Sequence, residues 1–368
     1  MMTSNAVSLY IHIPFCIKKC VYCAFTSLPA ACEEIKQAYF EALCAQINAF
    51  PCDKTIRTVY FGGGTPPVIG TRRLAAICGL IAKRFSLAEG CEITAEVNPK
   101  SIAAQGLCEL RSAGFNRLSV GVQSANDDIL AKLGRVHDFA DAREGIEQAR
   151  NAGFTNISAD MIFALPWGRE YFADSLAGIV SLGTEHISAY SLQVEPGTPL
   201  YGLRKQISFP TEEAEEAEYS LICRELAEHG YEHYEISSFA KPGFASRHNM
   251  NYWRGGEYFG FGAAAHSFYL GRRFSCTADV RDYIRKAPAG LFAATDFDSE
   301  SVLTPDERAE EHIMLMLRTS DGAYIPQSAY PAAKRIAALG YGDFSDGKLV
   351  LNEKGFRVSN EIIAEILA

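Results

Sequence analysis

No run of apolar residues in the sequence is long enough to span a bilayer. Its first residues also lack the charged segment and apolar core that direct secretion. The chain is therefore expected in the cytoplasm, where thiols stay reduced. Basic residues are in deficit, 35 Lys and Arg against 44 Asp and Glu, a net charge of −9. That excludes a general nucleic-acid binder while leaving room for a local basic pocket. What is present, 48% apolar and 21% charged residues over a length of 368, describes a globular protein. A chain of this length favours one large domain with a smaller one attached.

Cysteine is not scarce: there are 11. Cys44, Cys78, Cys91, Cys108, Cys223 and Cys276 are scattered and read as small buried hydrophobes. Cys16, Cys20 and Cys23 do not. They follow a short alternating strand (8–13) stopped by Pro14, which has no N–H for the ladder. Three thiolates in one loop can hold a soft metal or an iron–sulfur cluster. A closed zinc site needs a fourth ligand, and neither Cys32 nor His12 is spaced to complete a tetrahedron. On a four-iron cluster, three cysteines leave one iron open to a cofactor or substrate.

Beyond the loop the pattern alternates between strand and helix. Helices are expected over 33–50, 71–85, 101–113, 139–152 and 171–182, and strands over 56–61, 91–97, 117–122, 156–165 and 187–194. About six βα units imply parallel strands with right-handed crossovers. Eight would close a (β/α) barrel, so six suggest a partial one with its site at the C-terminal strand ends. Gly62, Gly63, Gly64, Thr65, Glu96, Gln123, Asp160 and Glu195 all fall at or just after such ends. A glycine run there would let backbone amides approach a ligand closely. Singly these residues could be turn or cap residues; gathered on one face they read as a site.

Further on, a helix is expected from 211 to 228 and a strand over 231–239. The segment His248-Asn249-Met250-Asn251-Tyr252-Trp253 follows, then a glycine-rich stretch carrying His266. A lone histidine is more often structural than a ligand, which is the default for His229, His233 and His266. Helices over 305–317, 324–339 and 355–367 with a strand at 348–352 suggest a winged-helix-like α+β module.

The cysteine loop, Phe61-Gly62-Gly63-Gly64-Thr65-Pro66, Glu96-Val97-Asn98-Pro99, Gly121-Val122-Gln123-Ser124 and Leu133-Gly134-Arg135 together resemble the radical S-adenosylmethionine (SAM) superfamily. They resemble in particular its coproporphyrinogen III oxidase-like branch, over nearly the whole chain. His-Asn-x-x-Tyr-Trp resembles the signature of that branch's heme-chaperone family, HemW. The resemblance implies a partial (β/α)6 TIM-type barrel of the radical SAM type with a small α+β C-terminal domain. It divides the chain into a core with the cluster loop (1–240), a connecting segment (241–300) and a HemN-type, winged-helix-like domain (301–368).

It also implies cofactors. Cys16, Cys20 and Cys23 would hold a four-iron four-sulfur cluster. Tyr10, Gly63, Gly64, Thr65, Glu96, Gln123, Arg135 and Asp160 would surround SAM. Arg135 suits a carboxylate because its donors form a fork. His248 would ligate heme iron, with Tyr252 and Trp253 against the porphyrin. The implied function is heme binding and transfer to acceptor proteins, respiratory ones among them. A homodimer and peripheral membrane contact through the acceptor are further expectations. The alternative is an enzyme of tetrapyrrole chemistry: an oxygen-independent coproporphyrinogen III dehydrogenase or a heme-modifying enzyme. The dehydrogenase carries a fourth loop cysteine two residues after the third, where this chain has Phe25. Within the chaperone pattern, Ala24 stands where Asp is usual.

Overall fold

The computed structural model describes residues 6–51, 53–289 and 295–368. Six strands and their following helices form its centre: β1 (Ala6–Ile13), β2 (Thr55–Gly63), β3 (Ser86–Val97), β4 (Arg117–Gln123), β5 (Ile157–Phe163) and β6 (His186–Ser191). Each pairs in parallel with the next. The crossovers run through α1 (Glu33–Ala49), α2 (Thr71–Arg84), α3 (Ala104–Ser112), α4 (Phe139–Asn151) and α5 (Phe172–Ser181). Buried residues Tyr39, Ala42, Leu43, Gln46 and Ile47 recur on one face of α1, the spacing of a helix laid on a sheet. The six expected units are thus present.

The strand expected over 231–239 is instead a hairpin. After α6 (Glu212–Glu228), β7 (Glu232–Glu235) and β8 (Ser238–Ala240) run antiparallel, and β8 joins the outer edge of β6. The Glu235 carboxylate accepts the Ser237 N–H at 3.0 Å, closing a turn that has neither Gly nor Asn. On the other side, after α7 (Arg247–Trp253), β9 (Tyr258–Phe261) pairs in parallel with β1. Strands β10 (His266–Tyr269), β11 (Arg272–Cys276) and β12 (Thr295–Val302) then continue the sheet antiparallel. The twelve strands lie in the order β12-β11-β10-β9-β1-β2-β3-β4-β5-β6-β8-β7, so the sheet does not close on itself among the described residues.

Parallel strands buried on both faces usually read as continuous apolar runs. Here they alternate. Val7, Leu9, Ile11 and Ile13 are fully buried and belong to the main apolar core. The residues between them, and many of their counterparts on β2–β6, are polar and bond to one another between adjacent strands on the lumen side. Thr58 Oγ1 donates to Ser8 Oγ at 2.8 Å, the Tyr60 hydroxyl to Glu96 at 2.9 Å, and Ser119 Oγ to Asp160 at 2.9 Å. An apolar shell with a hydrogen-bonded polar lumen holds ionisable groups only where each has partners.

The C-terminal unit has its own apolar core, including Ile313, Leu317, Ile336, Leu349 and Ile363. It comprises α8 (Pro305–Met316), α9 (Tyr330–Ala338), α10 (Ser359–Leu367) and a small sheet of β13 (Ala323–Tyr324), β14 (Gly342–Ser345) and β15 (Lys348–Leu351). The expected helix over 324–339 is shorter, because β13 and a 3₁₀ turn occupy its first residues. A Glu235–Thr319 bridge and a 2.7 Å hydrogen bond from Ser220 to Glu353 tie the unit to the barrel. No helix among the described residues is long and apolar enough to cross a membrane.

Candidate cofactor and ligand site at the barrel mouth

The cysteine loop is pinned at its base. Phe15–Cys16 pairs in parallel with Leu28–Pro29, and the Ala30 N–H donates to the Cys16 carbonyl at 3.0 Å. Farther out, Val21 donates to the Leu133 carbonyl at 3.2 Å. Cys16 is 9% exposed, and Cys20 and Cys23 are half-buried. Donors already point at the sulfurs: Thr65 Oγ1 at 3.8 Å from Cys16 Sγ and Arg135 Nη1 at 3.4 Å from Cys20 Sγ. Burial pushes the Cys16 and Cys23 thiols up, so bare thiolates are disfavoured. Metal coordination would deprotonate them outright. No group of three or more Cys, His, Asp or Glu among the described residues converges to hold a single ion. A cluster takes each thiolate on a separate iron, so the loop fits a cluster better than a lone metal.

The glycine run does not present its amides to the mouth. Gly63 N–H donates to Glu96 Oε2 at 3.1 Å, Gly64 N–H to the Ile13 carbonyl at 2.9 Å, and Thr65 N–H to the Phe15 carbonyl at 2.7 Å. The first bond ties β2 to β3, and the other two tie the end of β2 to the base of the cysteine loop. Gly63 has φ +113°, and a Cβ there would lie 2.6 Å from the His12 ring, so both backbone and space require glycine.

Glu96 is held by Gly63 and by the Tyr60 hydroxyl. Burial pushes its carboxyl up to about 7, with Asp160 adding to the rise and the Tyr60 bond opposing it. Asp160 is also raised, first by burial, against hydrogen bonds from Ser119 and Ser158. Arg135 Nη2 donates to Asn98 Oδ1 and to the Gly121 carbonyl at 2.6 Å. Asn98 Nδ2 in turn donates to Thr65 Oγ1 at 2.9 Å, so Arg135, Asn98 and Thr65 link both outer sulfur contacts. Gln123 ends β4 with φ +71° beside Arg135 and Asn98. Tyr10 donates to, or accepts from, His12 Nδ1 at 3.1 Å, and His12 Nε2 meets the Thr26 carbonyl of the cysteine loop at 3.0 Å.

His248 lies on α7, whose N-cap Ser246 accepts from Asn249 N–H. Its ring is buried, 1% exposed. Nδ1 is 2.7 Å from Thr58 Oγ1 and Nε2 is 2.8 Å from the Tyr252 hydroxyl. Its backbone N–H donates to Glu92 at 3.0 Å, and its ring stacks on Tyr60 with centroids 4.9 Å apart. Burial, with the charge of Arg117 adding, lowers its pKa to about 3, so it is neutral. Ligation of an iron by this ring requires Tyr252 to release Nε2. Trp253 turns the other way and packs on Tyr234, Ala240 and Met250.

Tyr252 does reach open space. A cavity of about 600 Å³ lies between the cysteine loop (Ala24, Phe25, Thr26), the β9–β11 extension and α8, with Tyr10 and His12 at its barrel side. Its size falls in the range of small-molecule and cofactor sites.

The structure thus gathers Cys16, Cys20, Cys23, Gly63, Thr65, Glu96, Gln123 and Arg135 around one mouth, with Asp160 below them in the lumen. Sequence reading missed Tyr60, Arg117 and Ser119, and gave His12 and Asn98 no role at the site. Their signal was present: polar residues two apart in strands whose other face is apolar. Arg117, 2% exposed, carries a buried Nε–H with no acceptor among the described residues.

An open parallel barrel with a three-cysteine loop after its first strand defines a class. Residues 10–177 match the radical SAM superfamily model, and such a domain implies a four-iron cluster and SAM. The solved coproporphyrinogen III oxidase (HemN) from Escherichia coli, described as a radical SAM enzyme, shares the fold. Its TM-score is 0.82 at 22% identity, over 99% of this chain and 90% of that one. Within the class, this chain belongs to the HemW family. It is 35% identical to the heme chaperone HemW of Bacillus subtilis over 98% of this chain and 99% of the relative. It is 32% identical to that of Lactococcus lactis over 100% and 98%, and 34% to that of Escherichia coli over 88% and 85%.

Proposed function

We propose that the chain binds heme and passes it to acceptor proteins, with a cluster and SAM at the barrel mouth and no porphyrinogen decarboxylation. The observation that carries the reading is the cavity of about 600 Å³ opening beside the cysteine loop with an aromatic wall. A flat, largely apolar macrocycle with charged edges suits such a space. Phe25, at the position of the dehydrogenase's fourth cysteine, argues against decarboxylation.

Cys16, Cys20 and Cys23 would hold the cluster, which with SAM supplies one-electron chemistry when bound. The chain's own residues do the rest. Thr65 and Arg135 steady the sulfurs, and hydrogen bonds to sulfur tune a cluster's potential. Tyr10, Gly63, Gly64 and Gln123 would shape the SAM seat, Glu96 would serve its ammonium group, and Asp160 would accept from ribose hydroxyls. Arg135 would offer the SAM carboxylate the donors not engaged by Cys20, Asn98 and Gly121. His248 would ligate heme iron if Tyr252 released its Nε2, Tyr252 would face the macrocycle from the cavity wall, and Trp253 packs behind them on Tyr234, Ala240 and Met250. Acceptors in respiration, a cytoplasmic location and a dimer belong to the same proposal. The test is transfer: heme-loaded, cluster-reconstituted protein mixed with a heme-free acceptor should lose its Soret absorption as the acceptor gains it. Heme retained by the chain with every acceptor tried would defeat the transfer claim.

A further inference from the structure

Tyr60 touches both the SAM seat and His248. It stands on β2, in register with Tyr10 on β1 and Thr94 on β3. Its hydroxyl donates to Glu96 Oε1 at 2.9 Å, and its ring lies on the His248 ring with centroids 4.9 Å apart, 24° from parallel. The Tyr10 ring runs nearly parallel to it as well, at 6.3 Å and 20°. The space around it is tight: a Cβ on Gly62 would lie 2.9 Å from Tyr60 Cε1 and 3.0 Å from the Glu96 carboxyl carbon. A phenol is rigid, so any shift of the hydroxyl carries the ring with it.

The two oxygens of Glu96 are not equally held. Oε2 accepts the Gly63 N–H at 3.1 Å, a backbone group that β2 keeps in place. Oε1 accepts a side-chain hydroxyl that can turn away. An ammonium group arriving at Glu96 brings up to three donors. It therefore competes with Tyr60 rather than with Gly63. His248 is held by Thr58 at Nδ1, by the Tyr252 hydroxyl at Nε2 and by the Tyr60 ring on its face. To offer Nε2 to iron the imidazole has to part from Tyr252, and turning it slides it off Tyr60. Loosening Tyr60 lowers that resistance.

We infer that Tyr60 is a positioning residue that couples the SAM seat to His248: SAM on Glu96 releases the hydroxyl, the ring loosens, and heme iron takes His248 more readily. The inference rests on the SAM and heme readings above. Such a coupling is reciprocal, so heme tightens SAM by the same factor. Removing the hydroxyl imitates SAM: Tyr60→Phe keeps the ring over His248 but has no bond to Glu96.

The test uses full-length, cluster-reconstituted protein with the cluster oxidised, so that SAM is bound and not cleaved. Hemin is titrated anaerobically with and without saturating SAM, and SAM with and without hemin. Iron and sulfide content serves as the integrity control. In the parent, SAM should tighten hemin about fivefold or more, with a matching change in the Soret band. Tyr60→Phe should bind hemin without SAM as tightly as the SAM-loaded parent does, and adding SAM should then change neither affinity nor band. A loss of packing alone would weaken hemin binding, not tighten it. A parent that binds both ligands independently, or a Tyr60→Phe variant that keeps the parental coupling or binds hemin more weakly, would overturn the inference and leave both readings standing. A parent that fails to bind SAM or hemin would overturn that reading and the inference with it.

Discussion

His248 and His266 approach the same aromatic wall from different sides, and their surroundings differ in every respect. His248 lies behind Tyr252, buried, hydrogen-bonded at both nitrogens and held neutral. His266 lines the cavity in front of it, exposed and without a side-chain hydrogen bond among the described residues. In this structure the motif residue bridges Thr58 of β2 and Tyr252 of α7, whereas the exposed His266 carries no motif. A similar contrast separates the mouth from the lumen. Mouth groups are pinned to the cysteine loop, while lumen carboxylates are held in a low-dielectric interior that raises their pKa values.

The largest effect expected is all-or-none. Replacing Cys16, Cys20 or Cys23 by Ala should abolish the broad iron–sulfur absorption of the reconstituted protein. Four irons per chain in a triple variant would place the cluster elsewhere. Next, Asp160→Ala should weaken SAM binding with the cluster intact. Loss of a charge-assisted hydrogen bond costs about 1.5–3 kcal/mol, roughly ten- to a hundredfold in affinity. Calorimetry giving parental affinity would remove Asp160 from the SAM site.

Tyr252→Phe sharpens the comparison of the two histidines. It leaves His248 Nε2 buried without a partner, at a cost of about 1–3 kcal/mol in denaturant unfolding. It also frees His248, so the variant's hemin spectrum should gain an imidazole contribution. The pH dependence of stability carries the same information. His248 has a folded pKa near 3 against an ordinary 6.5. A depressed folded value means its contribution is fully present above 6.5 and is lost as pH falls below that. The slope is about 1.4 kcal/mol per pH unit. Subtracting the curve of His248→Gln from the parent's should show that slope, and two parallel curves would mean the ring is not buried neutral.

The smallest effect concerns Glu96. With its carboxyl at about 7, the ammonium-binding form is gained as pH rises through neutrality. SAM affinity should therefore tighten, by at most about tenfold per unit, and Glu96→Gln should flatten the profile. A flat parental profile would mean that Glu96 does not face the ammonium group.

The six strand–helix units and the cysteine loop were legible because hydrophobic period and turn residues are local signals. The β7–β8 hairpin was not, since a Glu235 side chain, rather than Gly or Asn, closes its turn. The antiparallel extension β10–β12 was hidden because strand order depends on which edge stays open. Among site residues, those at strand ends were readable from sequence. The burial of His248 was not, because Thr58, 190 positions away, and Tyr60 enclose it. The amides of the glycine run were expected to face a ligand, yet Glu96 and the carbonyls of Ile13 and Phe15 take them.

One paired measurement bears most directly on the account. Cluster-reconstituted protein is titrated anaerobically with hemin, and the same preparation is incubated with coproporphyrinogen III, SAM and reductant while carbon dioxide is collected. Saturable hemin binding with a defined Soret band, and no carbon dioxide above the cluster-free control, is the predicted result. Decarboxylation at a catalytic rate without saturable hemin binding would contradict it and make the chain a porphyrinogen-oxidising enzyme.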